Sequence, residues 1–198
     1  KDLPPYVGAT KNHVDVIKHF QESGHSTCLI LEDDIVFTDD VSRVHSSIAT
    51  FFERVYDYSI CFLSLSRLGD RLPHDALLSE TKQTCTTSAA YFLTKRTSHD
   101  VLAVVDEGLR KITAGEGYQN EGCIDTYWCG RLPKTYFFKN KLAFQRPSWS
   151  NLKQCVRFFC EPLEQYRQVN ANSLSAFHDR EFSVKQIQRR DELEAYPL

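Results

Sequence analysis

The chain has 198 residues, 41% of them hydrophobic and 25% charged, which is enough apolar material for one sizeable core and argues for a single domain. Its formal net charge of -2 gives no global attraction to nucleic acid or to an anionic membrane. No apolar run approaches the ~20 residues that a membrane span requires.

Two features point to a processed or truncated start: the chain begins at Lys1 and it contains no methionine. The seven cysteines are odd in number and form no CxxC pair, which argues against a zinc site. Most lie in apolar context, as in "SICFLSL", and read as small buried hydrophobes in a reducing compartment. With no signal peptide visible, the cytoplasm is the expected location; one or two disulfides in an exported protein are the alternative.

In chain order, "HVDVIKHFQESG" (13–24) sets Val14, Ile17 and Phe20 at helical spacing, with Gly24 as the stop. "STCLILEDDIVF" (26–37) reads as a strand buried on both faces. Residues 41–56 return to helical period through Val41, Val44, Ile48, Phe51, Phe52 and Val55. "SICFLSLS" (59–66) is a second buried strand, and "RLGDRLPHDALLSETKQT" (67–84) reads as loop, with Gly69 and Pro73 as breakers. "CTTSAAYFLT" (85–94) is a third strand of small residues, and 97–112 is a helix capped by Thr97 or Ser98. A Gly-rich loop, "TAGEGYQNEG", leads into "CIDTYWCGRL", an element with an acid near its start. Residues 134–152 give an aromatic strand and an irregular polar segment, and 153–198 read as a polar C-terminal extension with weak helical periodicity. Alternating strands and helices predict an α/β fold with a mainly parallel sheet.

The informative stretch is "LILEDDIVF". Three carboxylates, Glu32, Asp33 and Asp34, interrupt an apolar run. In a strand, residues two apart share a face, so Glu32 and Asp34 project together and Asp33 opposite. Unpaired carboxylates are too costly inside a sheet, which places them where the strand leaves it, the edge at which open α/β sheets bind ligands. Two hard oxygen ligands on one face suit Mn2+ or Mg2+ and leave positions open for phosphate. The competing structural reading has Glu32 capping the next helix and Asp33 or Asp34 paired with Arg43 or Arg67.

"LILEDDIVF" resembles the acidic signature of glycosyltransferase family 25, which includes lipopolysaccharide-biosynthesis enzymes and collagen galactosyltransferases. Three further segments resemble that family in the same order: "GATKNHVDVIKHF", with Asn12 in place of the more usual Ser; "TTSAAYFLTKRTSHDVL"; and "CIDTYW" followed by "YFFKNKLAFQRPSWSNL". The resemblance spans residues 8–152, and 153–198 match no pattern of it. It implies a GT-A (Rossmann-like) fold in 1–152, with the nucleotide-binding first strand and helix lying upstream of Lys1. It implies a metal-dependent, inverting transfer of a hexose, galactose or glucose, from a UDP-sugar to a hydroxyl of a glycan or protein acceptor.

On that reading Glu32 and Asp34 hold the metal, and Asp33 contacts the donor or orients the other two. The catalytic base is Asp125, with Glu121 second; the structural alternative for Asp125 is a helix-start acid favoured by the dipole. His13 matches the family's histidine and either touches donor phosphate or makes a structural hydrogen bond. Arg67 faces the diphosphate or pairs with Asp34. Gln145, Ser148 and Ser150 are donor- or acceptor-side polar contacts, and His178 is a late histidine of the kind such folds recruit to metal. Trp128 and Trp149 either stack on a sugar or belong to the core. Two other classes compete: a degenerate transferase-like binding or scaffold domain, and a Mg2+-dependent phosphotransferase or phosphatase, whose D-x-D followed by Thr/Ser and Lys signals are not found here.

Overall fold

The helical stripes and apolar strands of the sequence settle around one sheet. The computed structural model of the chain describes residues 5–63, 71–81, 89–116, 124–128, 130–145, 148–150 and 155–157. In chain order the elements are α1 (Pro5–Glu22), β1 (Thr27–Leu31), β2 (Ile35–Phe37), α2 (Val41–Arg54), β3 (Ile60–Phe62), β4 (Arg71–Pro73), β5 (Leu78–Thr81), β6 (Ala90–Thr94), α3 (Ser98–Ala114), α4 (Ile124–Tyr127), β7 (Thr135–Phe138), β8 (Ala143–Gln145), β9 (Ser148–Ser150) and β10 (Cys155–Arg157). Six strands form the main sheet in the order β1-β6-β3-β7-β5-β4; β2 pairs with β8, and β9 with β10, in separate two-stranded ladders.

The fold is α/β with a mixed sheet flanked by helices, as expected. The expectation of a mainly parallel sheet is corrected. Among the described strands of this sheet only β3 and β7 run parallel; β1–β6, β3–β6, β5–β7 and β4–β5 are all antiparallel. The apolar runs of β3 and β6 report burial on both faces, and helices on both sides give that to an antiparallel strand equally well; β1, expected to be buried on both faces, is an edge strand with Leu29 and Leu31 exposed.

Strand alternation divides the core in two. Ile30, Ile60, Phe62, Tyr91, Leu93 and Phe137 face α1 and α3, where they meet Val14, Ile17, Phe20, Val101 and Val105. Cys61, Leu63, Ala90, Phe92, Tyr136 and Phe138 face α2, where Val44, Phe51 and Val55 cover them. The predicted stripe of α1 is therefore a buried face, and so is that of α2 through Val44, Phe51 and Val55, whereas Val41 and Phe52, expected on the same stripe, are exposed. α2 is capped by Asp40, whose side chain accepts from the Arg43 backbone N–H at 2.9 Å, so Glu32 does not cap it. α3 ends on Gly115 at φ 73°, a left-handed position that suits glycine. Thr97 precedes α3 without capping it; its hydroxyl instead donates to the Tyr58 carbonyl at 3.1 Å.

The segment read as loop contains a hairpin, β4–β5. Asp75 supplies the missing turn chemistry: its Oδ1 accepts from the backbone N–H groups of Leu77 and Leu78, both at 2.7 Å. Pro73 is tolerated because β4 is the outermost strand. Cys28 and Cys61 are free thiols, Cys61 within the core and Cys28 against it. Of the predicted 153–198 extension, residues 155–157 form β10, and the remainder lies outside the described residues. No helix among the described residues is long and apolar enough to cross a membrane.

Asp57 ties three elements together at the surface. Lys134, at the head of β7, and Arg96, after β6, both donate to its carboxylate. The Lys134 hydrogen bond first, and the Arg96 one after it, hold the Asp57 carboxyl below its ordinary range. A folded pKa below the unfolded value stabilises the fold above about pH 4 and loses that contribution as pH falls further. Asp57→Asn is therefore expected to lower Tm at pH 7, with the gap to wild type closing below about pH 4 in thermal melts across pH. A gap independent of pH would show that the charge is not what Asp57 contributes.

Candidate functional site

β1 and β2 belong to different sheets, and the chain crosses between them through the acids. Glu32 still bonds the main sheet, its N–H donating to the Ala89 carbonyl at 2.7 Å. Ile35 N–H then donates back to the Glu32 carbonyl at 3.3 Å, closing a turn over Glu32–Asp33–Asp34–Ile35. The acids thus stand where the strand leaves the sheet, as the cost of burying carboxylates requires. They do so in a turn, which corrects the expectation of a continuous strand.

Glu32 and Asp34 nevertheless share a side, as the sequence predicts, because the turn curls them toward β8. β8 lies antiparallel to β2 with Gln145 opposite Ile35, so the Gln145 side chain stands beside the turn. Its amide nitrogen donates to Glu32 Oε2 at 2.7 Å and lies 3.3 and 3.4 Å from Asp34 Oδ1 and Oδ2. Two carboxylates therefore converge on one buried amide nitrogen. Asp33, between them, is exposed, on the outside of the turn.

The other oxygen of Glu32 is held from α1. His13 Nε2 lies 3.5 Å from Glu32 Oε1, and His13 Nδ1 lies 2.8 Å from the Tyr91 hydroxyl. An ionised carboxylate only accepts, so the arrangement calls for a proton on Nε2 and leaves Nδ1 to accept from Tyr91. Burial, with smaller contributions from Cys28 and the Glu32 charge, pushes the Tyr91 phenol well above its ordinary value, so it stays a neutral donor. The resulting chain, Tyr91 to His13 to Glu32, joins β6, α1 and the turn. His13 is not a helix-start residue, since α1 begins at Pro5.

Sequence patterns alone do not single out Tyr91. The one signal for it is a tyrosine within the small, apolar run "SAAYFLT": a tyrosine buried there needs a partner for its hydroxyl. Trp128 is fully buried, edge-on to Tyr91 at 5.0 Å and to His13 at 6.3 Å between ring centroids. It is core behind the site, which corrects its reading as a sugar platform. Arg43, expected near the acids, lies 3.6 Å from Asp40 and donates to Thr38 at 3.3 Å.

Asp125 is in the single turn of α4, near its start; its side chain lies outside the described residues, as do those of Ser148, Trp149 and Ser150 in β9. Arg67, Glu121 and His178 also lie outside them.

The donor set fits a hard divalent cation as a half-site. Glu32 and Asp34 give carboxylate oxygens directed at one point, which is the chemistry Mg2+ and Mn2+ prefer. Among the described residues no group of three or more His, Cys, Asp or Glu side chains gathers in metal-binding geometry.

No protein-family model matches the chain, and no curated protein matches it in sequence. Among solved structures, the fold is similar to mannose-1-phosphate geranyltransferase from Thermus thermophilus, with a TM-score of 0.35 and 12% identity over 67% of this chain and 49% of that one. The match thus spans about half the length of that protein, and a likeness this loose carries no inference about chemistry or substrate.

Proposed function

We propose that the chain is a metal-dependent glycosyltransferase that moves a hexose, galactose or glucose, from a UDP-sugar to a hydroxyl of a glycan or protein acceptor with inversion. The observation that carries this reading is the convergence of Glu32 and Asp34 on one point at the exit of β1. Glu32 and Asp34 would hold Mn2+ or Mg2+. A bound divalent cation there supplies the positive charge that neutralises a departing diphosphate. Asp33, on the outside of the turn, is the proposed contact for the donor's ribose or sugar. His13 and Tyr91 hold Glu32 in orientation, and Gln145 holds both acids. Asp125 is the proposed base for the acceptor proton, with Glu121 second, and Arg67 and Ser150 are proposed donor contacts.

The non-enzymatic reading has one observation in its favour: Gln145 already gives both acids a neutral partner, as a purely structural lock would. Thermal shift with a panel of UDP-sugars, with and without Mn2+, separates the two. The transferase reading expects stabilisation by one UDP-sugar only when Mn2+ is present, ~2.7 kcal/mol at a hundredfold excess over Kd. A folded protein that shifts with no donor in either condition would support the lock and sink the transferase.

A further inference from the structure

We infer that Gln145 is an exchange residue for the cation: its amide nitrogen stands in the cation's place between Glu32 and Asp34, and on metal binding the amide turns over to offer its carbonyl oxygen as a third ligand. This rests on the reading of the acid pair as a cation site.

The geometry is specific. One nitrogen lies 2.7 Å from Glu32 Oε2 and within 3.4 Å of both Asp34 carboxylate oxygens. Carboxylates accept and do not donate, so they call for the NH2 end of the amide in the metal-free chain. A divalent cation between the same oxygens reverses the requirement, since it repels N–H hydrogens and attracts a carbonyl oxygen. The amide's two ends are nearly isosteric, and its terminal torsion is soft and roughly two-fold, so a half-turn exchanges donor for ligand without moving the backbone.

The surroundings keep the exchange local. Gln145 is only 7% exposed, and its backbone is fixed by a ladder in which Ile35, Val36 and Phe37 oppose Gln145, Phe144 and Ala143. His13 Nε2 faces the other oxygen of Glu32, Oε1, at 3.5 Å. The oxygens facing Gln145 are thus the ones a metal would share, and the one facing His13 is kept as an anchor.

Mn2+ titration of the purified, nucleotide-free chain tests this, read by the loss of the free-ion electron paramagnetic resonance signal. Gln145→Met keeps length and bulk but offers no oxygen, and Gln145→Glu offers a carboxylate. The exchange predicts weaker Mn2+ binding in Gln145→Met, by about tenfold or more, the scale on which losing one supporting group weakens a metal site. It predicts tighter binding in Gln145→Glu. Gln145→Met binding as tightly as wild type, or more tightly, would mean the amide only competes with metal, and the inference falls. Asp34→Asn separates the levels. If wild type binds, Asp34→Asn does not, and Gln145→Met is indifferent, the cation site stands and the exchange is wrong. If wild type itself retains no Mn2+, both are wrong. Metal-free circular dichroism of each variant verifies folding.

Discussion

Asp34→Asn is expected to abolish Mn2+-dependent stabilisation by a UDP-sugar while leaving the metal-free Tm unchanged or raised. The two effects have opposite signs because they come from the same geometry. In the metal-free chain, Glu32 and Asp34 both direct oxygens at one amide nitrogen. Like charges brought together repel. Asparagine removes one charge, keeps the side-chain shape, and is at home in a tight turn. Relief of that repulsion is the stability effect expected at pH 7. Function has: the ~2.7 kcal/mol of ligand stabilisation at a hundredfold excess disappears, and turnover falls by on the order of 100-fold or more, equivalent to about 2.7 kcal/mol in the barrier. Paired melts with and without Mn2+ and donor measure both. If the pair were a structural lock, Asp34→Asn would lower the metal-free Tm and there would be no metal-dependent shift to lose. Sites that store unfavourable contacts for a ligand's sake give the first pattern, and structural hydrogen bonds give the second.

The position of this pair could be read from sequence because it follows from a cost. Three carboxylates between "LIL" and "IVF" cannot remain inside a sheet, and they do mark the point where the chain leaves it. What could not be read was the means. Period-two alternation and a four-residue turn both bring Glu32 and Asp34 to one side, and sequence does not separate them. The helix stripes through Val14, Ile17 and Phe20 and through Val44 and Phe51 were legible because each is a local pattern with one apolar face. Strand direction was not, since burial on both faces produces the same apolar run in either orientation. Gln145 was legible as a polar contact, from the resemblance, but not as the partner of acids more than a hundred residues away in the chain. Its position depends on the β2–β8 register, which no local pattern encodes. The hairpin β4–β5 was hidden because its turn is made by the Asp75 side chain, while Gly69 and Pro73 read as breakers.

Trp128→Ala is expected to cost about 3–5 kcal/mol of stability, and Trp128→Phe well under half of that. The asymmetry comes from what surrounds the indole. The ring is fully buried, with edge contacts to Phe62, Tyr91 and His13 at centroid distances of 5.7, 5.0 and 6.3 Å. Alanine leaves a cavity bordered by all three. Phenylalanine fills part of it and also removes a liability, because the indole N–H has no hydrogen-bond partner among the described residues. An unsatisfied buried N–H costs about 1–3 kcal/mol, so its removal offsets part of the lost packing. Urea unfolding of the three proteins gives the comparison directly; equal losses for alanine and phenylalanine would show that the indole N–H is satisfied and its full shape required. The consequence reaches the acids. Trp128 packs against His13, which faces Glu32 Oε1, and against Tyr91, which bonds His13, so a cavity behind them gives His13 room to tilt away from Glu32. Trp128→Ala is therefore expected to weaken Mn2+ binding as well as the fold, while Trp128→Phe, which keeps a ring against both, preserves it. A stability loss in Trp128→Ala with Mn2+ affinity unchanged would mean that the turn and Gln145 alone set the position of Glu32.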